Sequence, residues 1–104
     1  MFVTEMTNMD LDKLKFAADI LKSIAHPLRI GIVQLLMNQT EMSVNDICEK
    51  LVAEQSLISH HLTNMRKNDV LSCRREGKSV MYTLELKELE QVVECVENCK
   101  KVIA

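Results

Sequence analysis

Gln55, Ser56, Ser59 and His60 stand together at the start of a helical pattern, and each can donate or accept a hydrogen bond. Side chains of this kind on one helix suit the donors and acceptors that base edges present in the major groove of DNA. A second group follows at close range. Arg74, Arg75 and Lys78 crowd a predicted hairpin tip, where cations suit phosphate. The thiols form a third group. Cys95 and Cys99 are four residues apart, which puts them on one face of a predicted helix. They could chelate a soft metal or metalloid, or be bridged by oxidant or persulfide chemistry. The alternative is that they are small apolar packing groups, as free cysteines often are. Cys48 and Cys73 read as core. His60 and His61 are adjacent and point about 100° apart on a helix, so they cannot share one ion well. His60 is therefore assigned to DNA, His61 to packing or a dimer edge, and His26, just before Pro27, to helix capping.

The elements that must hold these groups follow from periodicity. Leu11, Leu14, Ala18 and Leu21 step by three and four, a heptad-like seam on a first helix. His26 and Pro27 end it and begin a second helix to about Met37, with Ile30, Val33, Leu36 and Met37 inward. Gly31 inside that helix predicts close packing. Asn38–Glu41 reads as a turn. Ser43 and Asp46 resemble a capping box for a third helix with Val44, Ile47, Cys48 and Leu51 buried. Val52, Ala53 and Glu54 join it to a fourth helix, in which Leu57 or Ile58, Leu62 and Met65 face inward. Asn68 and Asp69 break that helix. Two alternating runs, Val70–Arg75 and Ser79–Leu84, then form a hairpin with Gly77 in its turn. A final helix is predicted from about Leu86 to Val102, with a second seam of Leu89, Val92, Val96, Cys99 and Ile103. Met1–Met9 shows no periodicity and reads as a flexible arm.

The expected fold is thus mostly α with a small β-hairpin, in the order α-α-α-α-β-β-α, forming one domain over residues 1–104. The matching terminal seams predict a homodimer, with Leu11, Leu14, Ala18, Leu89, Val92 and Val96 at its interface. Only three aromatic residues and no Trp leave Leu, Ile, Val and Met to build the core. Net charge is −2, yet Ser59–Leu84 holds five Lys or Arg against two acids, a local +3. Local charge decides whether a surface meets phosphate. No apolar run approaches the roughly 20 residues of a membrane span, and the start lacks a signal-peptide pattern. Four cysteines without such a signal predict a reducing cytoplasm. No Gly-rich phosphate loop, metalloprotease motif or nucleophile elbow is present, so an enzyme is not expected. A winged module that docks a protein is the competing class. A docking helix would more often carry aromatic anchors, and this one has none.

The runs LKSIAHPLRIGIVQLL (21–36), SVNDICEKL (43–51), QSLISHHLTNMRKNDVL (55–71) and RREGKSVMYTL (74–84) together resemble the ArsR/SmtB family of winged-helix repressors. The resemblance implies a homodimer joined by its first and last helices. It also implies binding of double-stranded DNA at an inverted-repeat operator through the fourth helix and the wing, with release by an inducer. Carried over by position, Gln55, Ser56, Ser59 and His60 face bases and nearby phosphates, and Arg74, Arg75 and Lys78 form the wing.

The chain departs from the family at several positions. Val52 stands where the turn usually has glycine, Glu54 where the helix opens with Ser or Thr, and Asn68 and Asp69 where Ala and Gly are usual. The arsenical site, a CVCxxC-like run, here reads Ser43 to Cys48 and keeps one thiol. The zinc positions become Glu85, Glu88, Cys99 and Val102, a poor set for zinc. Gln34 replaces a sulfur-sensing cysteine. Cys95 and Cys99 remain the candidate sensor; a repressor without cysteine or metal sensing is the alternative.

Overall fold

Proline is tolerated in the first turn of a helix, where its missing N–H would have no partner. That tolerance sets the sharp elbow at the centre of this molecule. The computed structural model describes residues 9–99. In it, α1 (Leu11–Ser23) gives way at Ile24 and α2 (Pro27–Asn38) starts three residues later. Asp10 caps α1 by accepting the Lys13 N–H at 2.8 Å. His26 caps α2, its Nδ1 accepting the Leu28 N–H at 3.1 Å, the capping role expected of it.

Two further helices make the helix-turn-helix, α3 (Val44–Leu51) and α4 (Gln55–Lys67). Ser43 caps α3 through the Asp46 N–H. Then come β2 (Leu71–Glu76), β3 (Ser79–Leu84) and α5 (Leu89–Glu97). The expected order holds, with one addition. Met42, assigned to no element from sequence, and Ser43, expected only as the helix cap, form a short strand β1 that pairs antiparallel with β3. The sheet order is β1-β3-β2, with Met42 opposite Tyr82 and Arg74 opposite Met81.

Helix α2 is central, packing against α3, α4, α5 and β3. Ile32 and Val33 are wholly buried there beside Leu36; Ile32 was not among the inward residues expected. Gly31 does allow close packing, since a Cβ there would lie 3.0 Å from a Leu51 methyl. Ile58, rather than Leu57, takes the inward place on α4, with Leu62 and Met65. Cys48 is half-buried against the core. No single helix among the described residues is long and apolar enough to cross a membrane.

Three expectations need correction. Leu89 packs into its own chain's core with Val93, so it is not free for a partner; Val92 is half-buried and Val96 exposed. A heptad step cannot distinguish the two fates, because either core accepts the same residue types. Helix α5 begins at Leu89 and closes at Glu97, so Cys99 lies past its end with its N–H on the Val96 carbonyl. The shared helical face proposed for Cys95 and Cys99 is therefore lost, although both thiols are exposed. Cys73 is exposed, not core: the hairpin outruns the helices that cover Leu71. Val102, Ile103 and most of the predicted N-terminal arm lie outside the described residues.

The departures at the turns have a backbone cost. Val52 sits at φ 51°, ψ 57°, and Asp69 at φ 62°. A β-branched residue in the left-handed region loses roughly 1–2 kcal/mol to contact between its side chain and backbone. Val52 is 88% exposed and recovers little by packing. Val52→Gly should therefore stabilise the fold by about 0.5–1 kcal/mol, after allowing for glycine's greater unfolded freedom. Thermal unfolding should show a midpoint higher by a few degrees; an unchanged or lower midpoint would show that no strain is released.

Candidate nucleic-acid interface

One face of α4 is fixed inward by Ile58, His61, Leu62 and Met65. Helical geometry then turns Ser56, His60, Thr63 and Lys67, spaced by four, three and four, to the opposite side. All four are exposed. Gln55 is exposed at the helix start, and Ser59 lies half-buried at the margin of this face. Thr63 and Lys67 were not among the residues expected, yet the helical step from His60 points to both. His60, Thr63, Asn64 and Lys67 line a small cleft of about 100 Å³. Glu54 makes no side-chain cap to α4, consistent with its place as a departure from Ser or Thr.

The wing stands beside this helix. Gly77, at φ 62°, makes the turn between Glu76 and Ser79. Arg75 and Lys78 are exposed and make no ion pair among the described residues. Arg74, expected with them, is engaged differently. Its guanidinium donates to both carboxylate oxygens of Glu41, each at 2.7 Å, and to Glu76 at 2.6 Å. That contact holds the Glu41 carboxyl below its ordinary range and pushes Arg74 further up. Arg66 on α4 stands near enough to the Tyr82 phenol on β3 to act on it electrostatically. Burial, then the neighbouring Cys73, push that phenol up, and Arg66 opposes them.

A buried polar cluster sets the tilt of α4 against the α1–α2 elbow. His61 is only 5% exposed. Its Nδ1 accepts from Arg29 Nε at 2.9 Å, while Arg29 Nη1 donates to the Ser23 carbonyl at 3.2 Å. The His26 ring lies 4.3 Å away, centre to centre, and the His60 ring 5.6 Å. A ring that accepts at Nδ1 carries its proton on Nε2, and that atom is buried without a partner among the described residues. His61 thus packs inside its own chain, the first of the two roles expected of it, with a defined partner. Burial lowers its pKa most, followed by the positive fields of His26, Arg29 and His60.

Apolar surface lies along α1 and the start of α5. Along α1, Leu11, Ala18 and Leu21 are exposed and Leu14 half-buried; Phe16, which is off the predicted seam, is 62% exposed. A groove of about 540 Å³ between α1 and the start of α5 is lined by Phe16, Ala17, Ile20, Leu21, Leu86 and Val92, among others. Among the described residues no group of three or more His, Cys, Asp or Glu could hold a metal ion.

Comparison with known proteins agrees with this geometry. Residues 26–72 match the model of the bacterial regulatory protein, arsR family. A helix-turn-helix transcriptional regulator of Methanocaldococcus jannaschii is 30% identical over 88 residues, covering 85% of this chain and 99% of the relative. The crystal structure of the transcriptional repressor PagR of Bacillus anthracis aligns with TM-score 0.74 at 31% identity, covering 84% of this chain and 99% of that one. Reduced HlyU from Vibrio cholerae aligns with TM-score 0.79 at 26% identity, covering 97% and 99%.

The His61 cluster gives a pH dependence with a fixed sign. A histidine whose folded pKa is lowered stabilises the fold above its ordinary value, and that stability is lost as pH falls toward the depressed value. Unfolding midpoints should therefore drop on going from neutral to mildly acid pH. In a His61→Gln variant, which keeps an acceptor for Arg29 but does not titrate, the drop should be shallower. Equal slopes for the two proteins would assign the acid sensitivity elsewhere.

Proposed function

The chain belongs to the arsR family of bacterial regulatory proteins, winged helix-turn-helix regulators that bind DNA, and from that premise we propose that it is a homodimeric repressor reading an inverted-repeat operator. It is a transcriptional regulator and not an enzyme. The observation that carries the proposal is the outward row of α4 beside a cationic wing. Gln55, Ser56, Ser59 and His60, extended by Thr63 and Lys67, are assigned to base edges and nearby phosphates. Arg75 and Lys78 are assigned to backbone phosphate.

The dimer reading is supported by the exposed apolar seam of α1 and by Val96, 50% exposed on α5. Exposed apolar patches of this kind mark interaction sites in many proteins. A two-fold dimer would place its α4 helices on half-sites separated by about one DNA turn or a multiple. Leu14→Glu with Val96→Glu should bury unpaired charge in that interface and give monomer or unfolded chain. A normal dimer by sedimentation would sink the assignment. The reading places the protein in the cytoplasm, where its DNA would be.

The release step is assigned to thiol chemistry or a soft metal or metalloid at Cys95 and Cys99. Both thiols are exposed, and they flank Val96 in the proposed seam. With Cys99 past the end of α5, an ion held there would draw further donors from the partner copy. Cys95→Ser with Cys99→Ser should keep DNA binding and lose release by arsenite, cadmium, persulfide or peroxide. Release as ready as in the wild type would make both cysteines packing residues.

DNA binding itself is tested at Arg75. Arg75→Ala should weaken binding to specific and mixed-sequence duplex alike and lower the salt slope by about one per wing. Unchanged binding to mixed-sequence duplex would remove the wing from the phosphate contacts.

A further inference from the structure

Arg74 lies on β2, the outer strand of the wing, opposite Met81. Its guanidinium passes across β3 to Glu41, the residue before β1. Two parallel N–H···O bonds of 2.7 Å make a fork that fits a carboxylate and resists rotation. Glu76 accepts from the same Nη2 at 2.6 Å. One cation shared by two carboxylates attracts a phosphate less than an unpaired one does. Arg75 and Lys78 have no such partners among the described residues.

We infer that Glu41 and Arg74 are positioning residues for DNA binding: together they staple the outer wing strand to β1 and so set where Arg75 and Lys78 stand relative to α4. Glu41 is well placed for this. One residue after it begins β1, which leads through the Ser43 cap directly into α3 and the helix-turn-helix. The fork therefore links the wing to the unit that carries the recognition helix. The strand ladder pairs β1 with the middle of β3, Met42 opposite Tyr82 and Ser43 opposite Met81, and β3 with β2 up to the turn, Arg75 opposite Val80. The fork adds a direct side-chain tie between the two outer strands, which the ladder joins only through β3. This inference rests on the DNA-binding reading above.

The sign of one mutation separates positioning from simple electrostatics. A carboxylate near DNA repels phosphate, so removing Glu41 by charge alone would tighten binding. As an anchor, its removal weakens binding. The experiment measures affinity for a mixed-sequence DNA duplex across a salt series, with thermal unfolding beside it. Glu41→Ala, and Glu41→Gln as a variant that keeps the side chain's size, should each bind about tenfold more weakly where two wings engage. Arg74→Ala should match them in affinity while leaving the salt slope near wild type, unlike Arg75→Ala. Arg74→Lys should not rescue, because an ammonium cannot make the fork. The exchanged pair Glu41→Arg with Arg74→Glu should recover most of the affinity at unchanged net charge. Tighter or equal binding by both Glu41 variants would overturn the inference. So would an Arg74→Ala salt slope lowered as far as that of Arg75→Ala, which would make Arg74 a phosphate contact. Wild-type protein that fails to bind duplex at all would instead remove the DNA reading, and the positioning role with it.

Discussion

Everything outward in this molecule depends on the inward stripe of α4. Ile58, Leu62 and Met65 are wholly buried, and each such side chain contributes roughly 1.5–3 kcal/mol by leaving water. Rotating the helix to present a different outer face would expose all three. The outer row of Ser56, His60, Thr63 and Lys67 is therefore set by what the inner row cannot give up. His61 adds direction to this constraint. Apolar contacts tolerate small rotations, but a hydrogen bond from Arg29 to one ring nitrogen does not. The elbow of α1 and α2 thereby fixes the tilt of α4.

Most of the fold was legible because its signals are local. Apolar spacing gave the helices, Pro27 gave the elbow, Ser43 gave a cap, and Gly77 gave the hairpin turn. Strand β1 was not legible, since two residues carry no period and become a strand only by pairing with β3. The end of α5 was not legible either. Neither glycine nor proline marks it, and Glu97, Asn98 and Cys99 would fit a continuing helix by composition. Leu89 shows the limit of a heptad seam: its spacing is right for a partner, but its own core takes the side chain. Cys73 shows the limit of alternation, which predicts a strand face but not how far helices cover it.

The candidate site was legible to a different degree. Residue types at the head of α4 suggested hydrogen bonding to bases, and helical geometry would have added Thr63 and Lys67 had the step been carried on from His60. The state of Arg74 could not be read from the chain. Its partner Glu41 is 33 residues away, and a count of local charge treats every cation as free. The structure divides the wing into a paired cation and two unpaired ones among the described residues.

That division bears on how an acidic chain can meet DNA. With a net charge of −2, the protein as a whole gains nothing from long-range attraction, so any electrostatic attraction must be local. Lys67 on α4 and Arg75 and Lys78 on the wing supply it in the proposed contacts, within reach of one another only if the wing holds its angle to α4. Glu54 and Glu76 stand close by and work against it. A few cations among acids succeed through placement rather than number. A displacement of the wing by a few ångströms weakens all of its phosphate contacts at once, because each falls with distance. Geometry at the base of the wing is then as much a determinant of affinity as the cations at its tip.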